Sequence, residues 1–264
     1  MAEGAIRIGV AGALGRMGVA VAAQVAARPR LEVAALFDRP GSQGQTAPAG
    51  VLVTREAALP RCDVIVDFTS GPASAELAGL CAERGGPALV VGSTGLSEEA
   101  EAAVARAAQR IAVVRSGNFS LGVNVLINLV AQAAATLKAR DFDIEVFEAH
   151  HKRKVDAPSG TAQMLGQAAA KARGLDLKAL KAEPRNGITG PRPDGVIGFS
   201  VVRGGGIVGE HSVIFAGEEE ILTLSHSARD RTLFARGAVE AASFVAGKPP
   251  GLYDMQDVLG MKGP

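Results

Sequence analysis

The sequence predicts a two-domain α/β fold, with a doubly wound parallel sheet first and a second, smaller α+β domain after it. Three observations carry this expectation. Short apolar runs alternate with alanine-rich helical stretches through the first half. After Asn118 the alternation stops, and one long apolar helix is followed by successive strands. With 264 residues, 47% of them hydrophobic, the chain is long and apolar enough for two cores.

In the first half, Ala5 to Ala11, Val33 to Phe37, Val64 to Phe68, Ala88 to Val91 and Ile111 to Val114 read as buried strands. Arg16 to Ala27, Pro72 to Arg84 and Ser97 to Gln109 read as the intervening helices. Pro72 suits a first helical turn, and Ser97 followed by Glu98 and Glu99 suits a helix start. Right-handed crossovers wind such a series into helices on both faces of one sheet. Beyond it, Leu121 to Lys138 reads as a helix and Asp141 to Glu148 as a strand running into a polar loop. Ser159 to Arg173 reads as a second helix, and Lys181 to Gly195 as a polar connection. Gly198 to Arg203, Glu210 to Phe215 and Glu220 to Ser227 read as strands of an antiparallel or mixed sheet. Arg231 to Ala246 is again helical. The closing GKPPGLYDMQDVLG is expected to pack Leu252, Tyr253 and Val258 back onto the first domain. The domains expected are therefore residues 1–120 with 229–264, and residues 121–228.

Charge and cysteine content narrow the function classes. Lys and Arg number 28 against 27 Asp and Glu, so the net charge of +1 gives no field for nucleic acid or an anionic membrane. Cys62 and Cys81 have no metal-site spacing and form no disulfide framework, which fits a reducing cytoplasm. MAEGAIRIGVAG lacks the parts of a secretion signal, and no apolar stretch reaches about 18 residues, so membrane insertion is not expected.

Gly9-Val-Ala-Gly12-Ala-Leu-Gly15-Arg16-Met17-Gly18 follows the first strand and opens the first helix. Glycines there permit a tight turn and let backbone N–H groups approach a pyrophosphate at the positive end of the helix. In that context the loop points to a Rossmann-type dinucleotide site, although a ligand-free turn has the same composition. Asp38, at the end of the second strand, is placed for an adenosine ribose, while Arg39 beside it suits the extra phosphate of NADP. Gly92-Ser-Thr-Gly95 and Ser116-Gly-Asn118-Phe119-Ser120 end two later strands, on the edge where open α/β sheets gather ligands.

Glu148-Ala-His150-His151-Lys152-Arg153-Lys154-Val-Asp156-Ala-Pro158-Ser159-Gly160-Thr161-Ala162 holds two of the four histidines and three cations. Histidine suits a general acid near neutral pH, and a cation suits a carboxylate. Ser159-Gly160-Thr161 at a helix start offers N–H groups to a second carboxylate. Lys152 and Arg153 equally suit a solvated face. Metal binding is the rival reading, but no HxH or HxxxH set accompanies the pair, and no metal is expected. The cluster points to a small anionic substrate that receives hydride and then a proton.

EAHHKRKVDAPSGTA, with GVAGALGRMG near the start and GLYDMQDVLG at the end, resembles the dihydrodipicolinate reductase family over nearly the whole chain. The resemblance implies reduction of 4-hydroxy-tetrahydrodipicolinate with NADH or NADPH in the diaminopimelate route to lysine, by a homotetramer built through the substrate domains. By position it implies His150 as proton donor or acceptor and Lys154 as proton donor, with His151, Gly160 and Thr161 holding substrate carboxylate. It implies cofactor contacts from Gly12, Ala13, Leu14, Gly15, Arg16 and Met17, from Asp38 and Arg39, from Gly92, Ser93 and Thr94, and from Gly117, Asn118, Phe119 and Ser120. The family often has Glu where Asp38 stands, which leaves the choice between NADH and NADPH open. Closure of the domains about residues 118–122 and 227–231 is expected. Two rivals share the plan, an aspartate-semialdehyde, homoserine or sugar dehydrogenase and a noncatalytic NAD(P)-sensing protein. The sequence places no catalytic cysteine in the second domain for the semialdehyde enzyme, and the histidines and lysine a sensor would have lost are present.

Overall fold

The computed structural model describes residues 4–182 and 185–262; Met1–Glu3, Gly263, Pro264 and, within the expected polar connection, Glu183 and Pro184 lie outside the described residues. The described chain divides into two compact units, residues up to Leu121 with those from Thr232 onward, and Gly122–Arg231.

The first unit runs through β1 (Ile6–Ala11), α1 (Arg16–Ala26), β2 (Leu31–Phe37), β3 (Thr46–Ala47), β4 (Gly50–Val51), α2 (Arg55–Ala58), a 3-10 turn at Leu59–Arg61, β5 (Val64–Asp67), α3 (Gly71–Glu83), β6 (Ala88–Val91), α4 (Glu98–Ala107) and β7 (Ala112–Arg115). α5 (Leu121–Thr136), β8 (Asp143–His150), α6 (Gly160–Ala172), α7 (Leu177–Leu180), β9 (Ile197–Arg203), β10 (Gly209–Ala216) and β11 (Ile221–Ala228) follow. α8 (Thr232–Val245), β12 (Gly251–Tyr253) and α9 (Met255–Val258) complete the first unit.

Six strands form one sheet in the order β12-β7-β6-β5-β1-β2, and every pairing in it is parallel. Such strands are buried on both faces and so read as unbroken apolar runs. One face packs Ile8, Val10, Val64 and Val66 against α1 and α8. The other packs Ile65, Leu89 and Val113 against Leu77, Ala78 and Cys81 of α3 and Val104 and Ala107 of α4. Helix starts follow local chemistry: the Ser97 side chain accepts the Ala100 N–H at 3.3 Å, and Glu98, Glu99 and Glu101 sit in the positive first turn.

The doubly wound sheet is as the sequence predicts, with two differences. Between β2 and β5, where the sequence places no long helix, the short β3–β4 hairpin, α2 and the 3-10 turn make the connection, with Gly41, Gly44 and Gly50 at positive φ. The tail contributes a sixth strand, β12, paired with β7. Tyr253 and Val258 pack against the core, but Leu252 is 53% exposed, because alternate residues of an edge strand point to opposite faces.

The second unit's sheet has the order β11-β10-β8-β9. β8–β10 and β10–β11 are antiparallel and β8–β9 parallel, so the sheet is mixed. Ile144, Val146, Val213 and Phe215 pack against Leu126 and Val130 of α5 and Leu165 and Ala169 of α6. A side chain at Gly166 would strike the Phe199 ring, 2.6 Å from its Cζ, so glycine there lets α6 close on β9. β8 runs to His150, past the expected end at Glu148. The first histidine of the pair is therefore on a strand and only the second begins the loop.

Candidate functional site

In the first unit, parallel pairing brings the loops after β1, β2, β5, β6 and β7 to one edge. The chain reverses its direction of travel across the sheet between β1 and β5, the position where such folds open a crevice. Gly12 has φ +76° and donates its N–H to the Phe37 carbonyl at 3.0 Å. A Cβ on Gly12 would lie 3.0 Å from the Phe68 carbonyl oxygen, and one on Gly18 would collide with the Gly12 carbonyl oxygen. The loop therefore folds tightly only with glycine at both positions. Among the described residues no side chain caps α1 at Gly15, so its first N–H groups can receive an anion. These features fit a dinucleotide.

The expected cofactor residues divide by what their side chains do. Ala13 and Phe119 are buried in the core, so they present backbone only. The Asp38 carboxylate accepts the Leu14 N–H at 2.9 Å and the Arg39 N–H at 2.8 Å, which ties the end of β2 to the glycine loop. Arg39 is exposed. Gly92 lies against the Phe68 ring, where any Cβ would overlap it, and Phe68 meets Phe119 edge-on at 5.8 Å. The Ser116 hydroxyl bonds the Asn118 carbonyl at 2.8 Å, and the Asn118 side chain accepts the Ser120 N–H at 2.8 Å.

Sequence reading passed over Asp67, the buried acid that ends β5. It accepts the Thr69 N–H at 2.9 Å and the Thr69 hydroxyl at 2.6 Å, and it also bonds Ser74, whose hydroxyl meets Ser93 at 2.8 Å. Burial pushes the Asp67 carboxyl above its ordinary value, against the pull of the Ser74 and Thr69 hydrogen bonds. The signal was an acid closing an apolar strand, VIVD. Cys62 and Cys81 are buried, and burial raises their thiols to about 11 and about 12, so neither is a nucleophile near neutral pH.

In the second unit, alternation along β8 places Glu148 and His150 on the same face as Ile144 and Val146. Glu148 is fully buried and accepts from four donors: His150 Nδ1 at 2.6 Å, Arg203 through both terminal nitrogens at 2.7 Å each, and the Ser159 N–H at 2.9 Å. Burial alone would raise the Glu148 carboxyl; the Arg203, His150 and Ser159 bonds outweigh it and hold the group below its usual value. No hydrogen bond within the described residues reaches His150 Nε2, which lies near Gly209; a Cβ there would stand 3.2 Å from it.

His151 Nε2 meets the Arg231 guanidinium at 2.9 Å. Burial, with Arg153 and Arg231 nearby, lowers the His151 ring below its ordinary value. Because a guanidinium can only donate, His151 Nε2 accepts from Arg231. Positive charge at the loop comes instead from Arg231 and from Lys154, whose Nζ is 2.9 Å from Asp156. Lys152 and Arg153 are exposed, as a solvated face requires. Ser159 caps α6 by accepting the Ala162 N–H at 3.2 Å, with Gly160 and Thr161 opening the helix. Arg203, Arg231 and His211 were missed. The legible signal was the Glu-x-His alternation of Glu148 and His150, which on a strand puts both on one face.

His211 touches Ser159 Oγ at 3.2 Å and meets the His150 ring at 5.1 Å. Burial, reinforced by His150, lowers its ring to about 4. The folded state thus keeps His211 neutral where the unfolded chain, titrating near 6.5, binds a proton. Its contribution is complete above pH 6.5 and is lost as pH falls from 6.5 through 4, a change of about 3 kcal/mol. Urea unfolding of the wild type and of His211→Gln at pH 7 and pH 4.5 is expected to show a smaller acid loss in the variant; parallel losses would refute the assignment.

Two family models match the chain in succession, Dihydrodipicolinate reductase, N-terminus over residues 6–119 and Dihydrodipicolinate reductase, C-terminus over residues 122–259. A 4-hydroxy-tetrahydrodipicolinate reductase of Caulobacter vibrioides is 62% identical, covering 97% of this chain and 98% of the relative. Another from an Anaeromyxobacter species is 53% identical with coverage of 97% and 98%. The dipicolinate-bound dihydrodipicolinate reductase from Paenisporosarcina sp. TG-14 superposes with a TM-score of 0.76 at 25% identity, covering 96% of this chain and 98% of that one.

Proposed function

The chain belongs to the dihydrodipicolinate reductase family, and from that premise we propose how its residues divide one reaction. The activity is the NADH- or NADPH-dependent reduction of 4-hydroxy-tetrahydrodipicolinate to tetrahydrodipicolinate, in the diaminopimelate route to lysine. The observation that carries the reading is that both halves of the family match a chain that keeps the glycine cradle, His150, Lys154 and the Ser159-Gly160-Thr161 helix start.

In this proposal residues 1–120 with 229–264 hold the cofactor and residues 121–228 the substrate. Gly12 to Met17 receive the pyrophosphate at the start of α1, Asp38 and Arg39 the adenosine ribose side, and Gly92 to Thr94 with Gly117 to Ser120 the nicotinamide side. Bound there, the nicotinamide supplies the hydride. Gly160 and Thr161 take one substrate carboxylate at the start of α6, where the helix dipole favours an anion. His151 offers the substrate hydrogen bonds rather than charge. Lys154 and His150 move the proton: loss of water from the ring leaves a conjugated imine, which accepts the hydride, and a proton from this pair completes its reduction.

We also assign a homotetramer assembled through the second unit. Ile221 and Leu222 on β11 and Val201 and Val202 on β9 are exposed on the two edge strands, which supports an interface there. The two unpaired buried thiols favour the cytoplasm.

The test is oxidation of NADPH or NADH, followed by nicotinamide absorbance, with substrate generated in place from pyruvate and aspartate semialdehyde. Turnover with neither cofactor would overturn the function. In the same assay Arg39→Ala is expected to raise KM for NADPH about tenfold, as loss of one charge-assisted hydrogen bond implies, while changing KM for NADH little. Equal changes with both would remove Arg39 from the phosphate site.

A further inference from the structure

We infer that Glu148 and Arg203 are positioning residues that fix His150 with its proton on Nδ1 and its Nε2 turned toward substrate. The inference rests on the proposed role of His150 but reaches residues that role does not include. Glu148 ends the apolar face of β8, where strand alternation would otherwise place another Val or Ile. A fully buried carboxylate is costly unless its oxygens are satisfied, and here both are. One oxygen takes Arg203 and His150, the other Arg203 and the Ser159 N–H.

The consequence is chemical. Paired with a guanidinium, the carboxylate is ionised and can only accept, so the His150 nitrogen 2.6 Å away must donate. Whether the ring is neutral or charged, Nδ1 carries a proton and Nε2 is the nitrogen left to exchange one. Arg203 cancels the charge that Glu148 would otherwise impose on the ring. β-sheet register sets the assembly: Arg203 lies opposite His150 on β9, and His211 opposite Glu148 on β10. The charged and titratable groups around the ring are therefore Glu148, Arg203 and His211, with Lys154 and Asp156 on the following loop. Because the same carboxylate holds the Ser159 N–H, it also couples the orientation of His150 to the start of α6, where a substrate carboxylate is proposed to sit.

Histidine-selective 15N NMR of the wild type, with His150 assigned from a His150→Gln spectrum, reads the tautomer directly and needs no substrate. A protonated Nδ1 is expected at every pH at which the protein is folded; a His150 ring protonated on Nε2 alone would overturn the inference. Glu148→Gln is expected to lower kcat about 10–100-fold, the range found when a partner orienting a metal-bound histidine is removed, with KM changed less than threefold and the His150 nitrogen signals altered. Arg203→Lys keeps the charge but loses the two-pronged contact, and is expected to fall between wild type and Glu148→Gln. Folded Glu148→Gln with wild-type kcat and unchanged His150 signals would reduce Glu148 to a structural group. Should the wild type itself fail to reduce the substrate, the proposed function falls, while the tautomer measurement still decides this inference.

Discussion

Lys154→Ala and His150→Ala are each expected to lower kcat by about 10²–10⁴-fold, the usual cost of removing a general acid. The two side chains are held differently. His150 is fixed by Glu148 on a strand of the sheet. Lys154 is on the loop beyond it, 21% exposed, anchored by its N–H to the His151 carbonyl at 3.0 Å and paired with Asp156. Small-molecule rescue separates their roles. If Lys154 delivers the proton, methylamine is expected to restore part of the activity of Lys154→Ala and none of His150→Ala. Imidazole rescue of His150→Ala alone would assign the transfer to the ring. Near-normal turnover of both variants at saturating cofactor would remove both residues from the chemistry.

The largest stability effect is expected at Gly237, in the middle of α8. Alanine normally favours a helix over glycine by about 0.5–1 kcal/mol, so the naive expectation is a gain. Here a Cβ would overlap the carbonyl oxygen of Phe119, because α8 lies directly on the backbone of the loop that follows β7. Gly237→Ala is therefore expected to cost about 3 kcal/mol through overpacking and to lower the melting temperature by about 6–12 °C. Gly79, in α3, is the control: nothing stands within 4 Å of its Cβ position. Gly79→Ala is expected to leave the melting temperature unchanged or slightly raised. Equal melts for the two variants would refute the close approach of α8.

Much of the site is legible because its chemistry is local. The Gly12 to Gly18 loop works through consecutive backbone groups, and Ser159 caps a helix that begins one residue later, so spacing alone marks both. The α/β class is legible for the same reason, since strands buried on both faces leave unbroken apolar runs. What the sequence hides is brought together by pairing. Arg203 reaches Glu148 across 55 residues because β9 and β8 lie side by side, and Arg231 reaches His151 across 80. Neither separation has a local signature. Asp67 was hidden differently, as one acid at the end of VIVD that bonds Thr69 and, on α3, Ser74, with Ser93 joined to it only through Ser74. The sequence places His150 in a loop because polar residues weaken a strand pattern, yet Glu148 and His150 continue the face that Ile144 and Val146 begin.

One face of the first sheet is covered by α1 together with α8, and β12 closes its edge, yet α8 and β12 follow residues 122–231 in the sequence. A nascent chain thus presents β1 to β7 with half a covering layer, and the face of Ile8, Val10, Val64 and Val66 stays incompletely covered until α8, beyond residue 231, has been made. Residues 122–231, by contrast, emerge as one uninterrupted stretch with their own core. The inserted unit can complete its core while the sheet that hosts it still lacks α8, so the two units need not fold in the order in which their first residues appear.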